Sequence, residues 1–242
     1  MGIIDNVLLD PDARPIIAHR GASGTCPENT VRAFDRALQD GADALEFDVR
    51  VTADGVPVII HDATVDRTTG GRGAVYQMMA VSVDALDAGG GDPISRLDAV
   101  LQRYRDTPLL IEIKESRAAE PALAALRRHG AERRVVVGSF TRRALAPFRR
   151  VGIPTSPSRA GVALALLASR VGLKVGGPHA AFAVPEYHGR VRVVDRRLVR
   201  AARRASKPVH VWTVNQPEDA RRLRALGVCG IITDYPDRMR NL

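Results

Sequence analysis

Ala44-Leu45-Glu46-Phe47-Asp48-Val49-Arg50-Val51 is the stretch on which the fold turns. Its apolar and β-branched residues predict a strand, and strand side chains alternate between two faces. Leu45, Phe47 and Val49 then share an apolar face, while Glu46 and Asp48 share the other. Leu109-Leu110-Ile111-Glu112-Ile113-Lys114 repeats the arrangement, with Ile111 and Ile113 on one side and Glu112 and Lys114 on the other. Such strands fit a parallel sheet whose apolar face meets helices and whose charged groups gather inside a closed barrel.

The rest of the chain alternates in the same way. Strands are predicted over 16–19, 57–61, 134–139, 209–214 and 230–233, besides 44–51 and 109–114. Helical periodicity falls at 29–39, 97–104, 120–129, 142–150 and 217–226. The count is close to eight β-then-α units. The expected fold is therefore α/β, a (β/α)8 TIM barrel forming one domain over 1–242. Gly70-Gly71 and Gly89-Gly90-Gly91 mark a small insertion between the second and third units. His19, Glu46, Asp48, Glu112, Lys114, Ser139, Trp212 and Asp234 all fall at or just past predicted strand ends, where this fold carries active sites.

Composition narrows the class. Of the 242 residues 45% are hydrophobic but only 4% aromatic, so Val, Leu, Ile and Ala must build the core. The most apolar run, 162–168, is far short of the ~20 residues of a membrane span and reads as a buried helix. Met1-Gly2-Ile3-Ile4-Asp5-Asn6 lacks a basic start and a long apolar segment, which predicts no secretory signal. Cys26 and Cys229 lack metal spacing, and the expected location is the reducing cytoplasm. The net charge of +9 comes largely from Arg pairs spread over predicted helices. It fits a solvated surface, or attraction to anionic substrates or peripheral contact with an anionic membrane surface. Without interleaved aromatics or a recognised motif, nucleic acid is not expected as a partner. The oligomeric state is left open.

The inward carboxylates carry the chemistry. Glu46, Asp48 and Glu112 would repel one another and lose hydration unless a cation compensates. An oxygen-only set suits one divalent ion, Mg²⁺ or Ca²⁺. Lys114 alone does not balance three carboxylates, although a buried ion-pair network is the structural alternative. His19 and His61 each close a short apolar strand. Singly each reads as structural, but as a pair beside Arg20 they supply the two proton transfers that phosphodiester cleavage needs. Arg20 can bind two phosphoryl oxygens in a planar fork, and Lys114 adds a point charge. Pro27-Glu28-Asn29-Thr30 starts a helix that Asn29 or Thr30 can cap, and Glu28 can orient a catalytic histidine or Arg20. Trp212, the only tryptophan, is placed to wall the substrate pocket. Asp234 reads as a cap or a supporting partner.

These residues resemble the glycerophosphodiester phosphodiesterase family. The likeness runs through His19-Arg20-Gly21, Pro27-Glu28-Asn29-Thr30, Glu46-Phe47-Asp48-Val49, His61-Asp62 with Arg67-Thr68-Thr69-Gly70, and Ile111-Glu112-Ile113-Lys114. It resumes at Val211-Trp212-Thr213-Val214-Asn215 and at Gly230 to Pro236, whereas 154–190 matches weakly. The resemblance implies a barrel, a divalent metal on Glu46, Asp48 and Glu112, acid–base roles for His19 and His61, and phosphate contacts from Arg20 and Lys114. It implies hydrolysis of glycerophosphodiesters to an alcohol and glycerol 3-phosphate, with the insertion helping to hold the glycerol end. The attacking oxygen is left open between water and the glycerol 2-hydroxyl. Two other readings stand beside it: cleavage of lysophospholipids in the manner of a lysophospholipase D, and a barrel that binds a phosphorylated ligand without turnover.

Overall fold

The computed structural model describes residues 6–242. Residues 1–5, which bear on the secretory-signal expectation, lie outside the described residues. Seven parallel strands make the barrel wall: β1 (Ile16–His19), β2 (Ala44–Val51), β4 (Leu109–Ile113), β5 (Val135–Gly138), β6 (Phe182–Pro185), β9 (Val209–Trp212) and β10 (Gly230–Thr233). Their order, β5-β4-β2-β1-β10-β9-β6, sets the first strand, β1, between β2 and the last strand, β10. The gap between β5 and β6 is spanned by one parallel bridge, Val137 to Thr155, and by the Ala180 amide donating to the Thr155 carbonyl at 2.8 Å. The eighth strand is thus reduced to a single pairing, and the barrel is nearly closed.

Helices return between the strands: α1 (Val31–Gln39), α3 (Leu97–Arg103), α4 (Ala119–Arg128), α5 (Arg142–Arg150), α6 (Arg159–Arg170), α7 (Arg196–Arg203) and α8 (Pro217–Leu226). Local chemistry sets their starts. Thr30 and Thr141 accept hydrogen bonds from the Ala33 and Ala144 amides, and Asp195 caps two amides of α7. α8 begins on Pro217 and ends on Gly227, whose φ of 96° a side chain would resist.

Strand β3 (Pro57–Ile59) runs antiparallel to β2 and lies outside the barrel wall. It opens the insertion, which includes the short helix α2 (Ala80–Asp84) and carries its own small core of Val58, Ile60, Val65, Val75, Val83 and Ile94. The only further strands named among the described residues, β7 (Tyr187–His188) and β8 (Val191–Arg192), form a two-residue hairpin pair.

Parity along the strands decides what faces inward. Leu45, Phe47, Val49, Ile111 and Ile113 pack in one cluster with Phe34, Leu101 and Phe148 from the helices. Ile17, Ala44, Leu110, Val136 and Ile232 pack with Leu8 inside the barrel, which they fill from below. Each fully buried Leu, Ile or Phe contributes about 1.5–3 kcal/mol. Because Ala44 faces inward, so do Glu46 and Asp48; because Leu110 does, so does Glu112. The apolar filling occupies the lower barrel, and charge begins one layer above it.

One helix corrects the sequence reading. The apolar stretch 162–168 lies in α6, but it is not buried: Leu164 is 65% and Leu167 64% exposed, whereas Ala165 and Ser169 face the barrel. An Ala-Leu-rich helix has little polar contrast to show which side turns inward, and here small residues make the close contact.

Candidate active site

The mouth of the barrel begins at His19-Arg20-Gly21. Arg20 has a left-handed backbone (φ 56°), uncommon for a residue with a side chain. Its amide is held by Glu46, lying 2.9 Å from the backbone carbonyl and 3.0 Å from Oε2, and its carbonyl accepts the Asn29 amide. Gly21 follows at φ 80°, and a Cβ there would lie 2.6 Å from the Ala33 backbone. Only glycine permits α1 to come this close. The turn aims the Arg20 side chain over the barrel.

Strand register then aligns the charged groups. His19 stands opposite Glu46, and Asp48 opposite Glu112. Glu46, Asp48 and Glu112 each offer an oxygen within 4.8 Å of the others. Lys114 Nζ lies 2.8 Å from Asp48 and 2.9 Å from Glu112 and is 8% exposed. Arg20 Nε approaches Asp48 Oδ2 at 3.1 Å, a charge contact that lacks hydrogen-bond alignment. Asn29 Nδ2 donates to the same oxygen at 3.0 Å.

These surroundings treat the carboxylates differently. Burial and the charge of Asp48 push the Glu46 pKa up to about 7. Burial would raise Asp48 too, but Lys114, Arg20 and the Asn29 hydrogen bond outweigh it and hold its pKa low. Burial acts to lower the pKa of Lys114, and the charges of Asp48 and Glu112 more than reverse this. Glu112 Oε1 is buried without a hydrogen-bond partner. An orphaned carboxylate oxygen beside a carboxyl that resists ionisation is the signature of missing positive charge. The set fits a divalent cation with hard oxygen ligands.

His19 Nδ1 is 2.7 Å from Asp234 Oδ1. An ionised carboxylate only accepts, so Nδ1 carries the proton and Nε2 is left facing the mouth. Asp234 is held in turn by Asn215 Nδ2 at 2.7 Å, and Ser23 Oγ lies 2.9 Å away. Burial acts to lower the His19 pKa, but the Asp234 hydrogen bond and the charge of Glu46 raise it above the ordinary value.

His61 lies just beyond β3 and repeats the device. Its Nδ1 is 2.6 Å from Asp62 Oδ1, and Arg50 Nε donates to its carbonyl at 2.9 Å. Arg67 donates to Asp62 at 2.5 Å and to both oxygens of Glu28 at 2.9 and 2.7 Å. Hydrogen bonding from Arg67 takes the Asp62 pKa down to about 2. Glu28 also accepts from Arg20 Nη1 at 3.1 Å. One chain of contacts therefore runs Arg20–Glu28–Arg67–Asp62–His61 and ties the insertion to the barrel.

The structure brings together His19, Arg20, Glu28, Glu46, Asp48, His61, Glu112 and Lys114. Trp212 lies at the end of β9, partly buried and edge-on to Phe140 with ring centroids 6.4 Å apart. Ser139, although at a strand end, is spent on the Ile113 carbonyl at 2.7 Å. Cys26 is a partly buried free thiol. Of the two capping candidates Thr30 is the cap, while Asn29 serves Asp48 instead; the sequence assigned no role to Asp62, Arg67 or Asn215. Asp62 and Arg67 had a local signal, being next to His61 and five residues beyond Asp62, whereas Asn215 reaches the site only through the fold.

A near-closed (β/α)8 barrel with paired histidines, an arginine fork and a carboxylate cluster at its C-terminal strand ends has the make-up of a hydrolase for anionic esters. The sequence pattern of the Glycerophosphoryl diester phosphodiesterase family matches residues 19–238. The chain belongs to that family and is an enzyme of the phosphoric diester hydrolase class. It is 35% identical over 252 residues to the glycerophosphodiester phosphodiesterase of Caldanaerobacter subterraneus subsp. tengcongensis, covering 94% of this chain and 96% of that one. It resembles the crystal structure of an Agrobacterium tumefaciens glycerophosphodiester phosphodiesterase (TM-score 0.78, 30% identity, 95% of this chain and 100% of that one). A Silicibacter pomeroyi barrel superposes with a TM-score of 0.81 at 30% identity, over 99% of this chain and 96% of that one.

Proposed function

We propose that the chain, working as one barrel unit, hydrolyses water-soluble glycerophosphodiesters to an alcohol and glycerol 3-phosphate, with His19 and His61 moving the protons. The observation that carries this is the matched pairing of both histidines through Nδ1 to a carboxylate, His19 to Asp234 and His61 to Asp62. Each ring then has Nε2 free for the substrate. One can take the proton of the attacking oxygen while the other donates to the leaving alkoxide. Arg20, steadied by Glu28, holds the phosphoryl oxygens in its fork, and the ammonium of Lys114 adds positive charge beside them. Trp212 and Phe140 offer an aromatic wall to the departing head group.

Glu46, Asp48 and Glu112 would hold one divalent cation, Mg²⁺ or Ca²⁺. When bound it supplies positive charge against the phosphoryl oxygens as negative charge builds on them. Lys114 and Arg20 keep Asp48 ionised for that purpose. Cys26 and Cys229 are unpaired, which supports work in a reducing compartment such as the cytoplasm.

The test is glycerol 3-phosphate release from glycerophosphocholine by purified protein, in EDTA, Mg²⁺ and Ca²⁺, with His19→Ala as control. Release that needs a divalent ion and is lost in the variant is expected. Turnover that persists in His19→Ala, or is unaffected by EDTA, would remove the proposed roles.

A further inference from the structure

Eleven large apolar side chains are exposed among the described residues, and four of them crowd onto α6 and the loop after it: Leu164, Leu167, Val171 and Leu173, each 61–65% exposed. Scattered singly such residues need no explanation, but a contiguous group does. Leu164, Leu167 and Val171 are spaced three and four apart, which lines them along one face. On α7 and at the residue that ends it, Arg197, Arg200 and Arg204 follow the same spacing, exposed, and among the described residues none has an acidic group within ion-pair distance. The two rows adjoin. Arg170 Nη1 at the end of α6 binds Asp195 Oδ2 at the start of α7 at 2.6 Å. A cavity of about 300 Å³ between the helices is lined by Arg170, Leu173, Arg197, Arg200 and Arg204.

We propose that this face of α6 and α7 docks on an anionic phospholipid bilayer. An apolar row beside a row of unpaired guanidinium groups matches the boundary between acyl chains and phosphate head groups. The leucines can enter the apolar side while the arginines grip phosphates in their planar forks. The net charge of +9 draws the molecule toward such a surface. A second copy of this chain fits less well, since a two-fold contact through the same patch brings arginine rows together. Nucleic acid would use the arginines and leave the leucines unexplained.

The start of α6 lies beside the catalytic mouth. Arg159, the first residue of α6, lies 4.5 Å over the Phe140 ring, and Phe140 meets Trp212 edge-on. Docking through α6 would hold the head-group side of the site beside the bilayer. The binding itself does not depend on the reaction proposed above.

The experiment is co-sedimentation of the full chain with mixed phosphatidylglycerol/phosphatidylcholine vesicles and with phosphatidylcholine alone. Wild type should pellet with the anionic vesicles only, and less at high salt. Leu164→Ser/Leu167→Ser and Arg197→Gln/Arg200→Gln should each weaken partitioning about tenfold or more, with unaltered circular dichroism and turnover of soluble diester. Arg127→Gln/Arg133→Gln, on the α4 side, removes the same charge and should bind like wild type. The proposal is overturned if wild type stays in the supernatant. It is also overturned if the Arg127/Arg133 pair loses as much as the Arg197/Arg200 pair, since net charge would then be the cause. A stable dimer that Leu164→Ser/Leu167→Ser dissociates, without vesicle binding, would assign the patch to self-association instead.

Discussion

His19 Nδ1 lies 2.7 Å from Asp234 Oδ1, although the two residues are 215 apart in the sequence. They meet because β1 and β10 are neighbours in the barrel, with Ala18 opposite Thr233. The pairing fixes the ring tautomer and raises the His19 pKa against the effect of burial. Asp234→Asn keeps the shape but removes the charge, and its amide can present the wrong atom to Nδ1. We expect kcat to fall about 10- to 100-fold with little change in KM. The acidic limb of the kcat/KM profile should move to lower pH, because the imidazolium loses its stabilising partner. A purely structural Asp234 would lower activity through unfolding and leave the profile of the surviving enzyme in place.

Glu28 is the hinge between the two halves of the site. It accepts from Arg20 on the barrel and from Arg67 on the insertion, and these hydrogen bonds and charges hold its pKa low despite burial. Glu28→Gln should free both arginines and raise KM about tenfold, more than it lowers kcat. Arg67→Ala should have a similar effect, and the double variant should cost little more than either single one. Strict additivity in steady-state kinetics would mean that Arg20 and Arg67 act separately.

The cation site should be gated by protons. Glu46 holds its proton up to about pH 7 because it is buried beside Asp48. A ligating carboxylate must be ionised, so cation and proton compete. Mg²⁺ or Ca²⁺ should bind about tenfold more weakly at pH 6 than at pH 8, with proton release on binding. Glu46→Gln and Glu112→Gln should both reduce affinity, and only Glu46→Gln should flatten the pH dependence. Calorimetric titration of the cation into metal-free protein checks both points.

What the sequence revealed follows from the range of the physics involved. Glu46, Asp48, Glu112 and Lys114 were legible because strand alternation is local, and inward charge on an otherwise apolar strand is expensive enough to be meaningful. The glycine of His19-Arg20-Gly21 was visible as a motif, but its reason, the approach of Ala33, is tertiary. Asp234 was seen as a supporting residue without its partner, since nothing local joins it to His19. The stretch 154–190 was least legible. There one barrel strand shrinks to a bridge at Thr155, β6 is only four residues long, and α6 turns its small residues inward. Each departs from the periodicity by which such elements are recognised.

His210 gives the fold its own response to acid. Its Nε2 is 2.9 Å from the Leu8 carbonyl, its Nδ1 has no partner, and no solvent reaches the ring. Burial lowers its pKa to about 4, against an ordinary value of 6.5. Above pH 6.5 both folded and unfolded chains carry a neutral ring, so His210 adds no pH dependence. Between 6.5 and 4 the unfolded chain takes up a proton that the folded one refuses, and stability falls as pH falls. The loss should be about 2 kcal/mol at pH 5 relative to pH 8, reaching about 3 kcal/mol near pH 4. His179, likewise lowered to about 4 by burial, acts in the same sense. His210→Gln keeps a donor for Leu8 but cannot titrate, so urea denaturation should show a shallower decline across that window than in wild type. Equal declines would mean that other groups govern acid sensitivity and that His210 is no more than a filler of the barrel floor.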